Sequence, residues 1–303
     1  MLFRSQVAER AVAQAPADFQ ANLFLTTALL GVGRKDEALA ACEKTIALKP
    51  DAHEVLRLRA LLAAEQKSPE EAIAAYDAAI QAEPDLPIFP GEALHLRMKI
   101  CLWDGLDEKL AAILARTDAG DYASNPFYLL PAPGSALQQK RAARLHFERF
   151  AGDVTREIPR SQPSADGRIR IGYFCADFGD HALGHVARPL IQLHDKKRFE
   201  VIGFSLAGGP ETPGRAVFAR AFERLIDVAG KPTDELVAIA RAEHLDIAID
   251  LNGYTQGARS RAFAFGLASV QVNYLGYAAT LGGTAHDYIV GDARSEEHTS
   301  ELQ

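Results

Sequence analysis

The sequence predicts two architectures in succession, an array of antiparallel helix pairs and then an α/β domain built on a parallel sheet. In the first part, prolines recur every 34 residues, at Pro16, Pro50 and Pro84. In the last part, short apolar runs alternate with helical segments, a pattern typical of strands joined by crossover helices. A polar stretch at 159–167, PRSQPSADG, lies between the two patterns and is typical of a linker.

The same period relates residues that lie between the prolines. The equivalent positions pair Ala38 with Ala72, Cys42 with Tyr76, Thr45 with Ala79, and Ile46 with Ile80. Small side chains let two helices approach closely, and a proline ends the second helix because it has no amide hydrogen. This period is that of tetratricopeptide units. Residues 1–90 are therefore predicted to form an α-helical solenoid that begins with part of a unit, with Gly33 at an inter-helix turn; alanine-rich hairpins without a solenoid are the alternative.

The rest of the chain divides into three predicted parts. Residues 91–158 keep helical spacing but lose the period, so an irregular helical connector is predicted there. The linker at 159–167 follows, and an α/β lobe is predicted at 168–293. Its strands are expected at 169–174, 199–204, 247–251 and 270–274, and its helices at 187–193, 215–222 and 233–243. The near-continuous hydrophobicity of the strands indicates burial on both faces.

Glycine-bearing loops follow the first, third and fourth predicted strands, at 175–185, 252–259 and 275–284. In parallel sheets, ligands bind beyond the carboxyl ends of the strands. We therefore expect the three loops to form one ligand crevice. The pattern GxGxxG is absent after the first strand, so the loops alone do not identify the ligand.

Composition and charge exclude several classes of protein. The net charge is -7 and basic residues form no cluster, which argues against a nucleic-acid or anionic-membrane binder. No apolar stretch reaches the length of a membrane span, and the N-terminus lacks the apolar region of a signal peptide. The cysteines, Cys42, Cys101 and Cys175, have neither disulfide nor zinc spacing and are expected to be buried. A cytoplasmic protein is the expectation.

The chain closely resembles, in four ordered segments between residues 169 and 292, the catalytic region of the protein O-GlcNAc transferase and SPINDLY-type glycosyltransferases. These segments read IRIGYFCADFGDHALGHVARPL, RFEVIGFSL, LDIAIDLNGYTQGAR and VQVNYLGYAATLGGTAHDYIVGD. The resemblance implies a GT-B module of two Rossmann-like lobes, of which this is the first. It also implies transfer of N-acetylglucosamine from UDP-GlcNAc, or of fucose from GDP-fucose in the SPINDLY branch, to serine or threonine. Protein acceptors would be guided by the repeats, and no metal or other cofactor is implied.

The resemblance assigns roles to particular residues. His181 matches the histidine of the DF-x-x-H segment, which has been proposed as a general base, and imidazole suits that role near neutral pH. Ordering of the turn is the alternative role for His181, and turn or cap formation is expected of Asp177 and Asp180. The matches expected to bind substrate are His185, Asn252, Gly253, Tyr254, Thr255, Tyr277, Thr280 and Gly283, although a structural role is the stronger expectation for His185.

Two stretches depart from the family pattern. Where the family often has PAPVQV and LGYPGT, this chain has LASVQV and LGYAAT, which is expected to loosen those loops without removing reactive groups. From Arg294 the sequence reads RSEEHTSELQ instead of continuing into a second, nucleotide-binding lobe. This decapeptide resembles the translation of a sequencing adapter, and its polar, acidic composition predicts disorder at 294–303. The resemblance then implies a fragment that is inactive by itself.

Two functions from different classes remain open at this point. One is a glycosyltransferase that contributes the acceptor side of its catalytic module. The other is a repeat-based scaffold for protein interactions, in which the α/β lobe has no catalytic role. The three loops directed to a single crevice favour the transferase, because a scaffold has no need of them.

Overall fold

The computed structural model describes residues 2–65, 68–160, 162, 164–208 and 212–292. The chain forms two units, Met1–Ala132 and Pro133–Gln303. The stretch 294–303, for which disorder was predicted, lies outside the described residues.

The first unit, called the helical arm below, consists of helices in its described part. They are α1 (Leu2–Gln14), α2 (Phe19–Gly31), α3 (Lys35–Leu48), α4 (His53–Glu65), α5 (Pro69–Ala82), α6 (Phe89–Lys99), α7 (Leu106–Ala119) and the single turn α8 (Pro126–Leu129). Successive helices pack on each other, α2 on α3 and α4 on α5. The predicted solenoid is confirmed, and Gly33 lies in the turn between α2 and α3.

The repeat-equivalent positions occupy the arm's core. Three of the four predicted pairs are buried, with side chains at most 2% exposed: Ala38 and Ala72, Cys42 and Tyr76, and Thr45 and Ala79. The fourth pair, Ile46 and Ile80, is partly buried and packs against the same clusters. A 34-residue period therefore marks equivalent places in two successive helix–helix interfaces, and the alanines in them keep the helices close.

The arm continues beyond the repeat. Helices α6 and α7 follow, although the 34-residue period is lost there. One expectation for this region is wrong, because Cys101 is exposed while Cys42 and Cys175 are buried. Cys101 has a positive φ of 56° and lies in the turn after α6, so its side chain does not join a helical face.

We predict that Ala79→Leu destabilises the arm by about 1–3 kcal/mol, because three extra carbons have no room in a fully buried interface. The matched control is Ala78→Leu on the same helix, where the side chain is exposed and the change is expected to stay within about 0.5 kcal/mol. Urea unfolding followed by far-UV circular dichroism measures both. Equal stability of the two variants would contradict the packing described for α5.

The second unit, called the α/β lobe below, is built on a six-stranded parallel sheet. In chain order its elements are α9 (Ala136–Ala151), β1 (Ile169–Cys175), α10 (Ala182–Gln192), β2 (Phe199–Ser205), α11 (Pro213–Ala221), β3 (Arg224–Asp227), α12 (Thr233–Ala242), β4 (Ile247–Asp250), α13 (Ser260–Ala264), β5 (Val270–Tyr274) and β6 (Tyr288–Val290). The strand order is β3-β2-β1-β4-β5-β6, which is that of a Rossmann fold.

All four predicted strands are present within one residue of their expected ends, and the two short outer strands, β3 and β6, went unpredicted. Strand β3 reads RLID and has charged residues at both ends, and β6 has three exposed residues. Neither carries the apolar run that marks a central strand. Helix α10 begins at Ala182, five positions before its predicted start at 187, because His181 caps it there.

Hydrophobic clusters cover both faces of the sheet. One contains Phe174 and Phe204, whose rings stack with centroids 4.3 Å apart, and the other contains Tyr173 and Phe218. Neighbouring residues of β1 thus point to opposite faces, as the pleat requires. Burial on both faces explains why the central strands read as continuous apolar runs.

Helix α9 belongs with the sheet, although the sequence placed it in the connector at 91–158. The division between the two units falls at Ala132, not at the predicted linker 159–167. Ala151 joins the core under the sheet, and Arg261 donates to both carboxylate oxygens of Asp153 at 2.9 Å. These contacts join residues far apart in the chain, which is why helical spacing alone did not reveal them.

Candidate functional site

The candidate site lies at the point of the sheet where the strand order reverses, between β1 and β4. Three loops leave the carboxyl ends of neighbouring strands here: the loop after β1 (176–181), the loop after β4 (251–259) and the loop after β5 (275–287). Such a switch point opens a crevice, because the crossovers on its two sides run in opposite directions. The expected convergence of the three glycine-bearing loops is therefore observed.

Asn252 joins the first two loops. Its side chain is fully buried, and its Oδ1 accepts the amide of Ala176 at 2.7 Å. Its Nδ2 donates to Asp177 Oδ2 at 2.9 Å and to Thr255 Oγ1 at 3.1 Å. One side chain thus fixes the loop after β1 against the loop after β4. The resemblance suggested that Asn252 binds substrate, but in this structure its amide group is used within the protein.

Asp250 holds the backbone of the loop that contains Asn252. It is the last residue of β4, is 1% exposed, and its Oδ1 accepts the amides of Asn252 and Gly253 at 2.9 and 3.0 Å. His286 Nε2 lies 3.2 Å from Asp250 Oδ2, without hydrogen-bond geometry. Sequence reasoning missed both residues. For Asp250 a signal existed, since it is an acidic residue at the end of an otherwise apolar run.

Tyr254 and Tyr277 connect the loop after β4 to the loop after β5. The Tyr254 hydroxyl donates to the carbonyl of Leu281 at 2.6 Å, and the two tyrosine rings meet with centroids 5.4 Å apart. Both side chains are buried, at 5% and 2% exposure. Burial raises the pKa of Tyr277 far above its usual range, so its hydroxyl stays protonated. These two residues hold the wall of the crevice together.

Gly253 has no alternative at its position. Its φ is +57°, in the left-handed region that disfavours a side chain, and a Cβ there would lie 2.4 Å from Cβ of Tyr277. Its amide is used by Asp250, as described above. Gly253 is therefore required by the close contact of two loops.

The two threonines and the last glycine of the predicted set lie nearer the surface. Thr255 Oγ1 donates to the carbonyl of Asn252 at 2.9 Å, and Thr280 Oγ1 accepts the amide of Gly282 at 3.2 Å. Both are partly buried. Gly283 is exposed on one side, while a Cβ would overlap the ring of Phe147 in α9. Each of the three shapes its own loop.

The two histidines of the predicted site are exposed. His181 is the N-cap of α10, where its Nδ1 accepts the amide of Leu183 at 3.2 Å. The amide of His185 donates to the carbonyl of His181 at 3.0 Å, so the two residues lie one helical turn apart. The turn-ordering role considered for His181 is thus observed, and its side chain remains exposed.

The departures from the family pattern fall in segments that other contacts hold. In LASVQV, the fully buried Gln271 accepts the amide of Leu267 at 2.6 Å and donates to the carbonyl of Phe263 at 2.9 Å. In LGYAAT, Ala278 is exposed whereas Tyr277 is buried. The contacts of Gln271, a residue that the family pattern shares, therefore hold the first segment although its prolines are absent.

Neither a metal site nor a membrane span emerges from the part of the chain that is described. No cluster of three or more histidine, cysteine, aspartate or glutamate side chains there has the arrangement needed to hold a metal ion. Within the same residues, no helix combines the length and the apolar character needed to cross a membrane.

A sequence model described as Glycosyl transferase family 41 matches residues 138–302, more than half of the chain. The chain belongs to this family. A tetratricopeptide repeat model matches residues 25–87, in the helical arm. The family match begins inside α9, in agreement with the packing of that helix on the sheet.

Named relatives support the same assignment. The chain is 35% identical over 146 residues to the probable UDP-N-acetylglucosamine–peptide N-acetylglucosaminyltransferase SEC of Arabidopsis thaliana, covering 48% of this chain and 14% of that protein. It is 38% identical over 127 residues to the UDP-N-acetylglucosamine–peptide N-acetylglucosaminyltransferase of Caenorhabditis elegans, covering 42% and 11%. The match to SPINDLY of Arabidopsis thaliana is weaker, at 24% over 159 residues. The chain thus spans a small part of these relatives' length.

The fold is also found in a solved structure. A mutant of the Thermobaculum terrenum O-GlcNAc transferase superposes with a TM-score of 0.58 over 97% of this chain and 52% of that one, at 23% sequence identity. The likeness shows a shared fold, helical repeats followed by a Rossmann-like sheet. The expected family and fold are therefore confirmed.

We predict that Asn252→Asp destabilises the α/β lobe by about 3 kcal/mol, since a second carboxylate would face Asp177 in a buried position. The control Gln256→Glu makes the same amide-to-carboxylate change at an exposed position of the same loop and should shift stability by at most about 0.5 kcal/mol. Hydrogen exchange of peptides from the loops after β1 and β4, in rising urea, measures the difference. An equal effect of both changes would show that Asn252 does not join the loops.

We also predict a pH dependence that originates at His146. Its ring lies edge-on to Tyr254, with centroids 4.4 Å apart, and burial lowers the pKa of His146 to about 4. The unfolded chain takes up a proton near pH 6.5 that the folded chain refuses until about pH 4, so stability falls as the pH falls through this window. Between pH 7.5 and 5 the loss attributable to His146 is about 2 kcal/mol.

His146→Gln should remove that part of the pH dependence and leave the contributions of other groups in place. The two proteins are unfolded by urea at pH 7.5 and at pH 5, and hydrogen exchange of peptides from the α/β lobe reports its unfolding. If the stability of both proteins changes equally with pH, the pH dependence originates at groups other than His146.

Proposed function

We propose that the α/β lobe is the acceptor-side lobe of a glycosyltransferase that transfers N-acetylglucosamine from UDP-GlcNAc to serine or threonine of proteins. The observation that carries the proposal is the crevice at the switch point, built from the loops after β1, β4 and β5 in a chain of glycosyltransferase family 41. Relatives that share up to 38% identity in this region are named as UDP-N-acetylglucosamine–peptide transferases, which supports this donor and this acceptor class.

The residues of the crevice divide into two groups by their exposure. Asn252, Gly253, Tyr254 and Tyr277 are buried and hold the three loops in register. His181 and His185 are exposed, and Thr255 and Thr280 are partly exposed. We therefore assign contact with the acceptor to the second group, with His181 nearest the reacting hydroxyl. Because positioning and charge stabilisation supply most of the rate in such transfers, a rigid frame behind a few polar contacts suits the task.

The helical arm is proposed to guide protein acceptors. Tetratricopeptide repeats present an extended concave surface to other polypeptides, and the repeats matched at 25–87 precede the α/β lobe in the sequence, which supports this part of the proposal. The proposal includes a nucleotide sugar as the second substrate and requires no metal. GDP-fucose is the alternative donor, on the weaker likeness to SPINDLY.

One α/β sheet is present among the described residues, whereas the resemblance implies a second lobe for the nucleotide sugar. The 303-residue polypeptide assayed by itself is therefore expected to transfer little sugar. A test of function has to place its α/β lobe beside a nucleotide-binding lobe.

A chimera makes that test. We predict that residues 138–292, exchanged for the matching region of the Caenorhabditis elegans relative, yield a protein that transfers N-acetylglucosamine from labelled UDP-GlcNAc to protein acceptors. His181→Ala in the same chimera should lower transfer by about 10²-fold or more, because it removes the imidazole from the acceptor side. A folded chimera without transfer, beside an active parent enzyme, would overturn the proposed function.

In the chimera the nucleotide sugar is bound by the lobe of the parent enzyme. The chimera therefore tests the acceptor side of this chain and not its choice between UDP-GlcNAc and GDP-fucose.

The scaffold alternative predicts the opposite result for the chimera. In that case the chimera is inactive while the arm, residues 1–132, retains the protein partners of the full chain in pull-downs.

A further inference from the structure

The imidazole of His181 has one nitrogen committed to the protein. Its backbone is extended, with φ -132° and ψ 153°, as expected of a residue that precedes a helix and caps it. Its Nδ1 accepts the amide hydrogen of Leu183 at 3.2 Å. That amide is one of those which a helix leaves without an intrahelical partner at its beginning, and the described structure provides no other acceptor for it.

The cap is held in place by the way α10 begins. A Cβ at Gly184 would lie 2.5 Å from the carbonyl oxygen of Gly179 and 3.2 Å from that of Asp177, so the first turn of α10 packs directly against the loop after β1. That loop is in turn fastened to Asn252 through Ala176 and Asp177. The position of the His181 ring therefore depends on the same contacts that hold the crevice together.

A neutral imidazole carries a single hydrogen, and the nitrogen that accepts a hydrogen bond is the one without it. Since Nδ1 accepts from Leu183, the hydrogen of neutral His181 lies on Nε2. We infer that neutral His181, in the loop that borders the crevice, offers a hydrogen-bond donor, Nε2–H, at the exposed edge of its ring and no lone pair there that takes up a proton.

This inference changes the role expected from the resemblance. A general base needs an unprotonated nitrogen within reach of the acceptor hydroxyl, and here that nitrogen is turned to the backbone of α10. The described residues include no partner for Nε2, and the side chain is exposed. Nε2–H is therefore free to donate to the oxygen of an acceptor hydroxyl and so to orient it. His181 is a positioning donor; its contact with an acceptor rests on the proposed function, while the location of its hydrogen does not.

The location of the hydrogen is tested directly on the 303-residue chain. Protein labelled with ¹⁵N at histidine is studied by long-range ¹H–¹⁵N correlation at a pH at which the ring is neutral, with the His181 signals identified by their loss in His181→Asn. The expected pattern is an unprotonated Nδ1 and a protonated Nε2. A hydrogen on Nδ1, or equal averaging of the two nitrogens, would overturn the inference whether or not the protein is a transferase.

A matched pair of variants separates donor from base. Asparagine and aspartate both cap helices well, but asparagine keeps an N–H donor whereas aspartate offers an acceptor and a base. In the chimera described above, His181→Asn is expected to keep transfer within about tenfold of the unmutated chimera, and His181→Asp to lose about 10²-fold or more. The reverse order would show that the ring acts as a base.

Stability serves as the control for folding. His181→Asn and His181→Asp should both retain the melting temperature of the 303-residue chain, while His181→Ala, which has no cap, should lower it by about 2–4 °C. If the two capping variants also melt early, Nδ1 does not perform the capping role on which the inference depends.

Discussion

The arrangement of the α/β lobe depends on one buried amide. Asn252 lies beyond β4 at the point where the strand order reverses, and its side chain binds Ala176 and Asp177 of the loop after β1. Two crossovers separate at this point, so nothing in the sheet itself holds their loops together. A fully buried group with donors and acceptors on one planar head can do so, because leaving any of its bonds unmade is costly. His181, four residues after Asp177 in the chain, is placed through this contact.

Around Asn252, the buried groups hold the protein's own loops in place, whereas the exposed groups are accessible to a ligand. Asp250 orients the backbone of the loop after β4, Tyr254 binds the carbonyl of Leu281, and Gly253 permits the close approach of Tyr277. These groups use their hydrogen bonds within the protein, which suits a frame that must not move when a ligand enters. The exposed imidazoles project from that frame. A short motif such as NGYT therefore has a structural role even where its position beside a crevice suggests a binding role.

Much of the fold was open to prediction because its signals are local. The 34-residue period revealed the helical arm, since equivalent positions such as Ala38 and Ala72 meet equivalent neighbours. Strands β1, β2, β4 and β5 were found because burial on both faces makes them continuously apolar. Strands β3 and β6 lie at the sheet's edges, where no such run is required, and they were missed. The site was found as a set of loops. Asp250 was overlooked although it is an acidic residue at the end of an apolar run, and His286 was overlooked because its position 3.2 Å from Asp250 Oδ2 arises only in the folded protein.

The sequence by itself determined the class of each half of the chain, the number of central strands, the three loops of the crevice and the resemblance to a glycosyltransferase family. Periodicity, apolar runs and glycine positions report how each segment meets its immediate surroundings, and that information is present in the order of residues. Only the tertiary structure decided that α9 packs with the sheet, that Asn252 is buried between two loops, and that Nδ1 of His181 faces the Leu183 amide. Such properties depend on which distant groups come within hydrogen-bonding distance, and the strand order sets those distances.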